Sequence, residues 1–158
     1  GYAVDRMADV LRRNGITSAL VNAGGNITTI GKKPGNEAWV IGVRHPRNDG
    51  TILVEPAPYV SVATSGDYER YFIRDGVRYH HILDPRTGKP AMKCISATAW
   101  TSTAMDADAL STTLFVLGPE KGIELARRLG NVEALFFYER NGRIETAMTP
   151  GIVGKVRQ

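Results

Sequence analysis

The sequence predicts an α+β fold built on a mainly antiparallel sheet with packed helices. Three observations carry that prediction. Asp75-Gly76 and Asn141-Gly142 each sit between short runs of β-branched and aromatic residues, the strongest local signal for a hairpin. Helical spacing is confined to a few segments, so strands follow strands with little between them. Two of those helical segments, 107–117 and 120–129, are consecutive and end at Gly118 and Gly130, as an antiparallel sheet with packed helices requires.

Val4, Met7, Ala8 and Leu11 recur at helical spacing over 3–13, and Asn14-Gly15 stops that helix. Residues 17–23 form a short apolar strand ending in Gly24-Gly25, and 26–30 is its continuation or its partner. A loop over 32–36 leads to a strand at 39–43, and 45–50 (His-Pro-Arg-Asn-Asp-Gly) is turn chemistry. Strands at 52–54 and 59–63 are separated by Pro56 and Pro58. The hairpin 71–73/77–79 follows, then a loop over 84–90, a strand over 95–101, the two helices, and a last hairpin 134–138/143–148. The sequence contains no internal repeat and no low-complexity segment.

A chain of 158 residues is one domain by length. With 42% hydrophobic and 23% charged residues it is neither disordered nor collagen-like. Cys94, the single cysteine, permits no internal disulfide and no cysteine-based zinc cage. Twenty Lys and Arg against sixteen Asp and Glu give +4, but no basic run exceeds a pair, so the footprint of a nucleic-acid binder is absent. No apolar run reaches the ~18–20 residues of a membrane span, and no signal-peptide pattern is visible after the non-methionine start at Gly1.

Four segments are placed to carry chemistry. Asn22-Ala23-Gly24-Gly25-Asn26 ends a strand in two glycines, which either make a plain turn or let backbone N–H groups approach a phosphate. Thr64-Ser65-Gly66 offers hydroxyls and an amide at a strand end, and equally suits a turn or a helix cap. In His80-His81 the rings point to opposite faces of a strand, so at most one enters a given pocket, where an imidazole is the default base near neutral pH. The following Asp84-Pro85-Arg86-Thr87-Gly88 loop raises the functional weight of that pair, with Arg86 serving either an anion or Asp84. Asp108 and Thr112 lie one helical turn apart, so both oxygens share a face and form a hard donor pair suited to Mg²⁺; by spacing alone the local reading, an Asp in the first helical turn favouring the dipole and Thr112 bonding its own backbone, is the simpler one.

The order and spacing of Gly1-Tyr2-Ala3-Val4-Asp5, Val21 to Asn26, Ala63 to Gly66, His81 to Gly88 and Ala107 to Thr112 resemble the FAD:protein FMN transferases, the ApbE-type flavin transferases, over nearly the whole chain. The resemblance implies an ApbE-like (T-fold-like) architecture and transfer of FMN from FAD to a threonine or serine hydroxyl of a flavoprotein, with release of AMP. It implies His81 as proton acceptor and flavin-nucleotide contact, Asp5, Gly24, Gly25, Ser65 and Gly66 as further nucleotide contacts, and Asp108 and Thr112 as Mg²⁺ ligands. It further implies an acceptor in a membrane redox pump, and a site of action in the periplasm or at the outer face of the cytoplasmic membrane through a lipid anchor outside this chain. In that family the Gly-Tyr-Ala-Val-Asp segment follows a long N-terminal region that completes the flavin pocket and the metal shell. The expectation is therefore that residues 1–158 are a C-terminal core portion that binds FAD and Mg²⁺ weakly by itself. A Mg²⁺-dependent FAD pyrophosphatase and a non-catalytic flavin-binding module are the competing expectations.

Overall fold

A computed structural model describes residues 1–55 and 60–157. Helix α1 (Tyr2–Arg13) leads into β1 (Ala19–Ala23), β2 (Asn26–Ile30), β3 (Ile41–Arg44), β4 (Thr51–Val54) and β5 (Ser61–Gly66). Then come β6 (Tyr71–Arg74), β7 (Val77–His80), and the two-residue strands β8 (Leu83–Asp84) and β9 (Lys89–Pro90). The second half holds β10 (Ser96–Thr101), α2 (Ala104–Leu117), α3 (Pro119–Leu129), β11 (Glu133–Arg140), β12 (Arg143–Met148), α4 (Pro150–Val153) and β13 (Val156–Arg157). The predicted strand start at Tyr59, and the separating Pro56 and Pro58, lie outside the described residues.

The main sheet runs β1-β2-β5-β10-β11-β12 and is antiparallel throughout. Period-two alternation sorts its two faces. Ala97, Ala99, Ala134 and Phe136 face α2 and α3 and pack with Leu114, Phe115 and Ala126. Their neighbours Trp100, Leu135 and Phe137 face the other way and pack with Ile41, Val43 and Val54 of a small second sheet, β13-β4-β3. β10 and most of β11 are thus buried on both faces, so neither alternates between buried and exposed residues, and β10 buries Ser96, Thr98 and Thr101 with its apolar residues. A one-residue slip would send Trp100 to the helix side and alanines to the other, so the register of β5, β10 and β11 is firmly set.

Both hairpins predicted from Asp-Gly and Asn-Gly form as expected, with positive φ at Asp75, Gly76, Asn141 and Gly142. Residues 26–30 are the antiparallel partner of β1 and not its continuation. The strands expected at 39–43 and 52–54 form β3 and β4; their pairing with each other and with β13 as a second sheet, and the β8–β9 pair across the Asp84–Pro90 loop, were not visible in local pattern. Cys94 is buried and its thiol donates to the Phe115 carbonyl at 3.1 Å; burial pushes its pKa up to about 12, so it is a core residue and not a nucleophile. Among the described residues no helix is long and apolar enough to cross a membrane.

Candidate active site

A cleft of about 680 Å³ opens where the end of β5 meets the β1–β2 turn, β3 and α2, a size ordinary for a small-molecule site. Seven of the eight sequence-predicted site residues line it: Gly24, Gly25, Ser65, Gly66, His81, Asp108 and Thr112. They come from four separate stretches of chain, so their meeting is a product of the fold.

Ser65 is fixed first. It stands opposite the fully buried Ala97 in the β5–β10 register, and its Oγ lies 2.9 Å from Thr112 Oγ1 and 3.0 Å from Ser111 Oγ. Ser111 in turn donates to the Asp108 carbonyl at 3.0 Å. The strand end and the second turn of α2 are one hydrogen-bonded unit. Gly66 follows because no side chain fits: a Cβ there would lie 2.5 Å from the Tyr68 ring.

α2 begins three residues before its predicted start, at Ala104. Thr103 accepts from the Asp106 N–H at 3.1 Å and its hydroxyl donates to Asp106 Oδ2 at 2.7 Å. That Thr-x-x-Asp cap was legible in the sequence. Asp5 adds a second cap from α1: its Oδ1 and Oδ2 accept from the Ala104 and Met105 N–H groups at 2.8 and 2.9 Å, where the helix dipole favours an anion. This departs from the expectation for Asp5. It is absent from the cleft lining, and both its oxygens are committed to holding α2.

Asp108 and Thr112 are exposed on the α2 face that lines the cleft. Asp108 Oδ2 lies 2.6 Å from the Gly1 nitrogen. Among the described residues no group of three or more His, Cys, Asp or Glu side chains is placed to hold a metal ion. A carboxylate and a hydroxyl are hard oxygen donors, and two protein ligands with room beside them suit an ion that keeps several waters or phosphate oxygens, so this pair fits Mg²⁺. At the β1–β2 turn Gly24 and Gly25 have φ of 61° and 87°, and the Gly25 N–H donates to Asn22 Oδ1 at 3.1 Å. The segment is a glycine turn, and its two glycines line the cleft.

The two histidines separate as the alternation predicted. His80 is buried; its Nδ1 accepts from the Ile82 N–H (3.3 Å), so Nε2 carries the proton and donates to the Ala91 carbonyl (3.0 Å). Burial lowers its pKa from 6.5, and its ring packs edge-on against Phe115. His81 is exposed at the cleft, and its Nδ1 lies 3.3 Å from the Arg70 carbonyl. A carbonyl only accepts, so Nδ1 carries a proton and Nε2 is the ring nitrogen left to exchange one. Arg86 turns back on Asp84 through Nε (3.0 Å) and Nη2 (2.6 Å). These bonds hold the Asp84 carboxyl near pKa 2, so of the two readings for Arg86 the ion pair is the one the structure takes.

Sequence reasoning missed part of the wall: Arg44 at the end of β3, and Tyr68, Glu69 and Arg70 after β5. Arg44 pairs with Glu69 (3.2 Å) and lies 4.7 Å over the Tyr68 ring. Behind them Arg47 forks onto both oxygens of Asp67, clamping the turn after β3 to the end of β5. Arg44 had no local signal, because only the fold brings β3 beside β5.

Fold and cleft together define the class: an antiparallel α+β domain whose cleft gathers hydroxyls, a glycine turn, an imidazole and a helix carboxylate. The ApbE family profile matches residues 1–136. An FAD:protein FMN transferase of Treponema pallidum is 42% identical over 99% of this chain and 46% of its own length, and one of Klebsiella pneumoniae is 42% identical over 86% and 42%. The solved flavin transferase ApbE from Vibrio cholerae superposes with a TM-score of 0.83 at 33% identity, covering 94% of this chain and 48% of that one. The ApbE protein of Thermotoga maritima gives 0.78 at 43% identity, with 93% and 48% covered. The chain belongs to the ApbE family. It spans about half the length of the curated relatives it matches.

Proposed function

We propose that the protein containing this chain is an FAD:protein FMN transferase that moves FMN from FAD to a threonine or serine hydroxyl of a flavoprotein, forming a phosphoester and releasing AMP. The observation that carries this is the convergence of His81, Ser65, Asp108, Thr112 and the Gly24-Gly25 turn on one cleft. The family membership and the names of its relatives support it.

In this reading His81 Nε2 takes the proton of the incoming hydroxyl while the Arg70 carbonyl keeps the ring oriented. The Gly24-Gly25 turn, Ser65 and Gly66 hold the flavin nucleotide, the absence of a Cβ at Gly66 letting the Tyr68 ring lie against the strand in the cleft wall. Asp108 and Thr112 would hold Mg²⁺, with Ser65 steadying the Thr112 hydroxyl. When bound, that ion neutralises charge on the pyrophosphate. The acceptor as a subunit of a membrane redox pump, and a periplasmic or outer-face location, rest on the motif resemblance.

AMP release by the full-length protein, measured with and without an acceptor flavoprotein domain, tests this reading. Transfer predicts AMP in proportion to covalently bound flavin and little AMP without acceptor. Equal AMP release in both arms makes the protein a pyrophosphatase instead.

A further inference from the structure

The cleft lining has a charge that the reaction as described leaves idle. Arg44 is paired to Glu69 and stacked on Tyr68, and Asp108 belongs to the candidate metal pair. Arg70 remains. It is exposed, it lines the cleft, and among the described residues its guanidinium makes no ion pair and no hydrogen bond. The arginines around it are engaged: Arg47 and Arg78 with Asp67, and Arg86 with Asp84. Arg70 therefore offers two separable groups, a carbonyl that orients His81 and an exposed side chain with no partner among the described residues, on a residue that lines the cleft.

We infer that the Arg70 guanidinium is a phosphate-binding group of this cleft, specific for the pyrophosphate of the dinucleotide and then for the phosphate of the leaving AMP. The inference rests on the transferase reading for the identity of the ligand. In the transfer step the acceptor oxygen bonds to the phosphorus that carries riboflavin. The bond from that phosphorus to the bridging oxygen breaks, the bridging oxygen leaves with AMP, and the hydroxyl proton passes to His81. Negative charge gathers on the leaving phosphate, and a planar guanidinium meets two of its oxygens at once.

The test is ligand titration of the full-length protein and its Arg70→Gln and Arg70→Lys variants with FAD, AMP and riboflavin. Arg70→Gln keeps the backbone carbonyl that holds His81. It is expected to weaken FAD and AMP binding about tenfold, the scale of one charge-assisted contact. Riboflavin, which lacks phosphate, binds unchanged, and Arg70→Lys recovers most of the loss. The pH profile of transfer stays in place. Unchanged AMP affinity in Arg70→Gln, an equal loss for riboflavin, or no AMP binding by the parent protein overturns the inference. A parent that binds AMP but transfers no flavin sinks the transferase reading and leaves the AMP and riboflavin comparison to judge Arg70.

Discussion

Ser65 Oγ lies 2.9 Å from Thr112 Oγ1, joining the end of the central strand β5 to the helix that carries Asp108. A donor hydroxyl on an exposed helix face rotates freely unless something holds it, and here a strand residue in fixed register does so. Ser65→Ala is therefore expected to raise the Mg²⁺ concentration needed for half-maximal transfer about tenfold, the usual effect of losing a group that orients a metal ligand. A Mg²⁺ titration of activity that matches the parent protein would show that Thr112 needs no such support.

Asp5 receives two N–H groups from the first turn of α2. Asp5→Ala is expected to lower unfolding free energy by about 1 kcal/mol, as loss of a helix cap does, with Asp5→Asn losing less. Denaturant unfolding reads this directly. A change in FAD affinity with unchanged stability would return Asp5 to the nucleotide site.

His80 gives a pH dependence whose sign is fixed. Burial lowers its pKa below 6.5, so the unfolded chain takes up a proton at a higher pH than the folded one. The stability held by neutral His80 is complete above pH 6.5 and is lost as pH falls below it toward the folded-state value. Unfolding midpoints between pH 7 and 5 should decline in the parent protein and decline less steeply in His80→Gln. Equal slopes would mean that the buried ring titrates as freely as in the unfolded chain.

How much of this was legible depends on sequence distance. The hairpins at Asp75-Gly76 and Asn141-Gly142 were readable because both residues of each turn must adopt positive φ, a demand written locally. The division of labour between His80 and His81 followed from strand alternation alone. The start of α2 was readable in Thr103 and Asp106 and was passed over. The capping role of Asp5 was not legible because its partners, Ala104 and Met105, are about a hundred residues away and are backbone groups that no side-chain motif marks. β3 and β4 were readable as strands, but their place in a second sheet and the Arg44–Tyr68 wall were not, because only tertiary packing sets them against the main sheet.

The most direct test of the central claim is covalent flavin on the acceptor. Full-length protein is incubated with FAD, Mg²⁺ and a flavoprotein acceptor domain, and the denatured acceptor is read for flavin fluorescence, beside His81→Ala under the same conditions. The account predicts a fluorescent acceptor band from the parent protein and at least a hundredfold slower labelling by His81→Ala, the scale of a lost general base. No band from the parent, or labelling by His81→Ala at the parental rate, would contradict it.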